Sequence, residues 1–221
     1  MRNRLSAAIV LGLLIALSAV CQAQAGKIEP LGPLTEPKVS DAVRKALDPK
    51  GYRAILADGS VACEIWLRQS VPARASKEDV PGAIYPELAE STLVGVISFP
   101  QATTDYRGQA IRAGTYTLRY ELIPDDGDHL GVAPNRDFLL LVPATSDEDP
   151  GAIYKFDQLV DMSRKATMTK HPGPLSMVQA NAGQPAVSKD DQDHWIFSAG
   201  LKMSSGEALS FGLVVKGTAP Q

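Results

Sequence analysis

The sequence predicts an all-β protein: an antiparallel β-sandwich of the jelly-roll or immunoglobulin/transthyretin-like kind, with two short peripheral helices. Three observations predict it. Residues 113–122 alternate between two faces with a period of two. Two hairpins are legible, one across Asp58-Gly59 and one around Ser205-Gly206. Helical periodicity is confined to two short stretches. Strands joined by hairpins, rather than alternating with helices, argue for a sandwich or open barrel and against a parallel sheet.

The N-terminus is set apart before the fold is read. Arg2 and Arg4 form a basic start, Leu5 to Val20 is uncharged and mostly apolar, and Ala23-Gln24-Ala25 fits a signal-peptidase site. An apolar run of about 16 residues is short of the roughly 20 that a membrane span needs. Residues 1–25 are therefore expected to be a cleaved signal peptide, which places the protein in the periplasm or outside the cell. The alternative is a lipid anchor on Cys21, after Ser18-Ala19-Val20. No later stretch is apolar enough to be a transmembrane helix.

Removal of Arg2 and Arg4 leaves 20 basic against 25 acidic residues and takes the net charge from −3 to −5. A mildly acidic chain has no electrostatic reason to bind nucleic acid. Cys63 is then the one cysteine, so no intramolecular disulfide can form, and an exported free thiol is expected to be buried.

Residues 26–37 read as an extended leader broken by Pro30, Gly32, Pro33 and Pro37, and 38–221 as a single domain. Ser40 to Leu47 carries Val43, Ala46 and Leu47 on one helical face, with Ser40 as N-cap. Tyr52–Leu56 and Val61–Leu67 form the first hairpin, with Val61, Cys63, Ile65 and Leu67 inward and Glu64, Trp66 and Arg68 on the other face. Residues 69–91 read as a long irregular connection. Leu93–Phe99 and Phe138–Val142 are apolar on both faces, as interior strands are. Between them, Tyr116, Leu118, Tyr120 and Leu122 point one way, and Thr115, Thr117, Arg119 and Glu121 the other. After an acidic turn at Asp147, Glu148 and Asp149, Tyr154–Lys165 is helical, with Phe156, Leu159, Val160 and Ser163 on one face. Residues 168–188 read as loop. The last hairpin places Trp195, Phe197, Ala199, Leu201 and Met203 opposite Leu209, Phe211, Leu213 and Val215, giving about seven or eight strands in all.

Two near-identical pentapeptides stand out. Asp125, Asp126, Asp128 and His129 lie in the first, and Asp190, Asp191, Asp193 and His194 in the second. Closely spaced carboxylates can wrap a hard divalent cation, and a histidine widens the choice to transition metals. Asp and Gly are equally what β-turns use for backbone reasons. A blue-copper centre is excluded because Cys63 precedes every histidine. No Gly-x-Ser-x-Gly turn occurs, and a thiol on an apolar strand face lacks the setting of a nucleophile. Carboxylate pairs that meet only in space stay open. Trp66, with Arg68 beside it, is the candidate aromatic platform for a glycan or protein ligand; its alternative is a Trp covered by the first helix or a loop. Arg107, Arg112, Arg119, Asp105 and Glu121 read as solvated or locally paired charges, and Arg136 or Asp137 as a structural clamp beside its strand.

Residues 108–118, Gly-Gln-Ala-Ile-Arg-Ala-Gly-Thr-Tyr-Thr-Leu, resemble the Ala-Gly-Thr-Tyr-Ser/Thr-Leu strand opening of exported bacterial β-sandwich families. Among these are a domain family of unknown function and the transthyretin-like, carboxypeptidase-regulatory modules. Residues 126–138 are similar to uncharacterised exported bacterial proteins. The resemblance implies a sandwich and export, and it supplies no catalytic residue. The function expected is an exported non-enzymatic binding or structural module. The alternatives are a metal-binding domain using the Asp/His turns and a hydrolase with an unrecognised site.

Overall fold

The computed structural model describes residues 25–75, 80–124, 135–181 and 183–219. In chain order these form β1 (Lys27–Leu31), α1 (Asp41–Ala46), β2 (Gly51–Ile55), β3 (Val61–Leu67), β4 (Leu93–Phe99), β5 (Thr103–Thr104), β6 (Ala110–Ile111), β7 (Gly114–Leu122), β8 (Asp137–Pro143), α2 (Phe156–Thr167), β9 (Pro174–Val178), β10 (Ala186–Lys189), β11 (Trp195–Lys202) and β12 (Ala208–Lys216). The antiparallel all-β expectation, with two helices, is met.

The strands do not divide clearly into the two facing sheets of a sandwich. Ten strands make one sheet in the order β1-β2-β3-β4-β7-β8-β9-β12-β11-β10, while β5 and β6 pair separately. The two edges approach each other: Ala25 bridges Ser188, and the Gly26 N–H donates to the Val187 carbonyl at 2.9 Å. The sheet is thus curled into a nearly closed barrel. Three segments read as leader or loop make the difference. β1 lies in the expected leader, β9 lies in the expected loop 168–188, and β10 begins in that loop and ends one residue beyond it. β9 joins the two halves by pairing with both β8 and β12. Strands of four or five residues, one opened by Pro174 and another carrying Pro30, are too short to display a period of two, so tertiary pairing decides them.

The hairpins follow local chemistry. At Asp58-Gly59 the chain turns with Gly59 at φ +82°, and Asp58 Oδ1 accepts the Ser60 N–H at 2.9 Å. Ser40 caps α1, its hydroxyl accepting the Val43 N–H at 3.2 Å.

The inward faces are those the alternation predicts. Cys63, Ile65 and Leu67 of β3 meet Tyr116, Leu118 and Tyr120 of β7, and Phe197 of β11 and Phe211 of β12 meet in the same core. Burial pushes the Cys63 thiol up to about 12, so it stays protonated and unreactive. Two smaller clusters cover the outside. Val39, Val43 and Leu47 pack on Trp66, Leu93 and Val96; Leu159 and Val160 of α2 pack on Phe138, Leu140 and Val142 of β8. Strand β7 runs between these two covers, and its outer face is buried as well, where sequence alternation suggested solvent.

Phe197 is fully buried and packs edge-on to Phe211 at 6.2 Å. Phe197→Ala is expected to lower the urea-unfolding free energy by about 3–5 kcal/mol. Ile153→Ala, at a side chain 74% exposed, should leave it unchanged within about 0.5 kcal/mol.

Candidate functional site

Thr117, Arg119 and Glu121 follow one another on the outer face of β7, and each is buried. Arg119 is fully paired. Its Nε and Nη2 grip Asp147 Oδ2 and Oδ1 at 2.8 and 2.7 Å. Nη1 donates to the carbonyls of Ser91 and Ala152 at 2.8 and 2.7 Å, and Nη2 donates also to that of Asp149 at 2.7 Å. All five N–H bonds of the guanidinium are used. Thr117 Oγ1 donates to Asp147 Oδ2 at 2.6 Å, and the Tyr154 ring lies 5.0 Å from the guanidinium carbon. Arg68, half-buried, adds a bond to the Pro150 carbonyl at 3.0 Å. The segment from Asp147 to Tyr154 is therefore tied across β7 chiefly by polar contacts.

The turn before β4 is tied down with it. Ser91 sits at φ +67°, a left-handed conformation costly for a non-glycine residue. Its hydroxyl accepts the Tyr154 N–H at 2.8 Å, and its own N–H donates to the Tyr120 carbonyl at 2.7 Å. The β4–β7 register shifts between Leu93 and Gly95, a bulge beside the same spot.

These two segments wall a cleft of about 470 Å³ lined by Arg74, Ala89, Glu90, Glu121, Ile153, Tyr154, Lys155 and Phe156. Glu121 is 2% exposed, and the donors that reach its carboxyl among the described residues are backbone N–H groups, that of Leu122 at a long 3.4 Å and that of Ser91. Burial, reinforced by the neighbouring Glu90 carboxylate, raises its pKa to about 7 against the weaker opposing pull of the Leu122 and Ser91 N–H groups. Ile153, 74% exposed, and Phe156, 38% exposed, line the same opening. A buried carboxyl that changes charge near neutrality thus meets exposed apolar walls.

The sequence-predicted site residues fall elsewhere. Trp66 is 5% exposed, lies under Leu34, Val39 and Val43, and donates its indole N–H to the Gly32 carbonyl at 2.9 Å. It is core, covered by α1 and the segment before it, and offers no open ring; Arg68 is spent on backbone carbonyls. Asp125, Asp126, Asp128 and His129 lie outside the described residues. In the second pentapeptide, Asp190 Oδ1 accepts the N–H groups of Gln192 and His194 at 2.9 and 2.8 Å, which is turn chemistry. His194 is buried with both ring nitrogens occupied, Nδ1 by Asp190 at 3.2 Å and Nε2 by the Thr218 carbonyl at 2.9 Å. Asp193 pairs with Lys189 at 2.6 Å, and Asp191 is exposed. Among the described residues no group of three or more His, Cys, Asp or Glu is placed to hold a metal ion. Asp137 is the clamp expected of it: its carboxylate accepts from the Ile84 and Tyr85 N–H groups and the Tyr120 hydroxyl, at 2.8, 3.0 and 2.7 Å.

The cleft itself was missed, though a signal existed. A strand between two neighbours that are apolar on both faces cannot present either face freely to water, so Arg119 and Glu121 had to be buried. Searches of protein-family models, curated proteins and solved structures return no match to this chain.

Two predictions follow from the buried charges. Arg119→Met leaves Asp147 buried without its partner and should cost about 3–5 kcal/mol in urea unfolding, part of it recovered in the double variant Arg119→Met, Asp147→Ala. Glu121 holds its proton more tightly in the folded chain than its ordinary value of 4.5 allows. Its contribution is complete below pH 4.5 and is lost as pH rises to about 7, by up to about 3 kcal/mol. Unfolding free energies across that range should show this fall in the native chain relative to Glu121→Gln, which has no proton to lose.

Proposed function

We propose that the protein is an exported, non-enzymatic binding module and that the cleft over Glu121 is its ligand seat. One observation carries the reading: a nearly fully buried carboxyl with no cation paired to it among the described residues opens into a cleft with exposed apolar walls. A structural carboxylate is normally saturated with donors, as Asp147 and Asp137 are on neighbouring strands or loops. A strained Ser91 and a bulge at the same place are further features that gather at binding sites. Export rests on the basic start, the apolar run and Ala23-Gln24-Ala25. Cleavage after Ala25 would make Gly26 the first residue, and its nitrogen donates the bond that draws the barrel edges together. A side chain is not tolerated there, since a Cβ would stand 2.3 Å from the Ile55 carbonyl oxygen.

A hydrolase is the second reading. Glu121 poised near neutrality beside Glu90 is the kind of carboxyl pair that general acid–base chemistry uses. Turnover of a chromogenic glycoside or ester, abolished in Glu121→Gln, would select it.

The binding reading is tested by titrating the isotope-labelled protein with a panel of small amines, acids, sugars and metal ions while recording amide shifts. Shifts gathered on residues 89–91, 119–122 and 152–156 are expected; shifts gathered on another face, or none across the panel, would overturn it. Export is tested by the mass of the protein recovered from a bacterial host. A chain starting at Gly26 in the periplasm or medium is expected, lipid on Cys21 would mark the anchored form, and an intact chain in the cytoplasm would reject export.

A further inference from the structure

Resting on the cleft as the ligand seat, we infer that its ligand class is a primary ammonium group carried on a short apolar stem. The arrangement of charge selects the head group. Glu121 is the buried charge-bearing group of the cleft, whereas Glu90 and Lys155 are exposed and screened by water. Arg74 is half-buried, with its Nε directed 3.3 Å to the Leu88 carbonyl. On the strand itself the next charge is Arg119, already neutralised by Asp147. The charged and titratable groups facing Glu121 are therefore Glu90 from the turn before β4, Arg74 from the preceding connection, and Tyr154 and Lys155 from the segment leading into α2.

A carboxylate met among the described residues by two backbone N–H groups, those of Leu122 at 3.4 Å and of Ser91, has acceptor sites to spare, and an ammonium brings three donors and the charge that balances it. An anion would have to settle beside that carboxyl. A hard divalent ion takes six or more oxygens, and the cleft supplies two carboxylates. The walls select the stem, because Ile153 and Phe156 are exposed apolar side chains with little else to cover them, and about 470 Å³ lies within the range of small-molecule sites. Binding exchanges one cation for another: the ammonium takes the place of the proton on Glu121, and that proton passes to the buffer.

Hexylammonium titrated calorimetrically into the processed protein is the test, run between pH 5.5 and 8 in two buffers of different ionisation enthalpy. Saturable binding is expected to strengthen about tenfold per pH unit below 7 and level off above it, with close to one proton released at the lower end. Glu121→Gln should weaken it at least tenfold. Ile153→Ala, at an exposed side chain that does not threaten folding, should weaken hexylammonium several-fold and leave methylammonium unchanged. Amide shifts on the cleft with hexanoate or calcium, and none with hexylammonium, would overturn the ligand class and leave the cleft as a seat. Hexylammonium bound equally by Glu121→Gln would overturn the role of the carboxyl. No cleft shift with any probe would overturn both this inference and the reading beneath it.

Discussion

The outer face of β7 depends on one buried ion pair. Arg119 is fully withdrawn from water, a state several kcal/mol unfavourable unless every donor is met. Asp147 meets two of the five N–H bonds, and three backbone carbonyls meet the rest. Those carbonyls belong to Ser91, Asp149 and Ala152, so the cation gathers two separate connections onto a single strand. Buried pairs of this kind often give no more net stability than apolar side chains of equal size would. This one gives position: the fork fixes the carboxylate in a plane, and the carbonyls fix the loops that carry them.

That position creates the cleft. The loop held by Arg119 continues directly into Ile153, Tyr154 and Phe156, and the turn held at Ser91 is preceded by Ala89 and Glu90. Glu121 lies two residues further along β7, on the face where Arg119 lies, with no cation paired to it among the described residues. One strand face therefore carries both extremes of buried electrostatics, a saturated charge and an unsaturated one. The contrast is the physical ground for separating a structural residue from a binding residue on the same element. It is invisible while both are read as solvated or locally paired charges, which is all that the strand's alternation conveys.

The barrel-like closure has a similar logic. Side chains from strands far apart in the chain, such as Cys63, Tyr120 and Phe197, fill one interior. Closure comes from short strands at the seam and at β9, which bridges the halves. Those strands pair because the long hairpins leave edge N–H and C=O groups that must be satisfied somewhere. Nothing in their own residues demands it.

The sequence by itself determined the class of the fold, the long strands, both helices and which face of β3, β7, β11 and β12 is inward. Each follows from a local period or a turn residue: alternation at Trp195 to Met203, the Asp58-Gly59 turn, the Ser40 cap. It also placed Cys63 in the core and made Asp137 a clamp. The tertiary structure alone decided that the sheet curls on itself, since β1, β9 and β10 are recruited by neighbours rather than by pattern. It decided likewise that Trp66 is covered, and that Asp190 and His194 are occupied within a turn and with the chain near Thr218. Above all it decided the cleft. Arg119 and Asp147 are 28 residues apart, and Glu121 and Glu90 31; charge pairing acts through space, and no spacing along the chain encodes a distance across it.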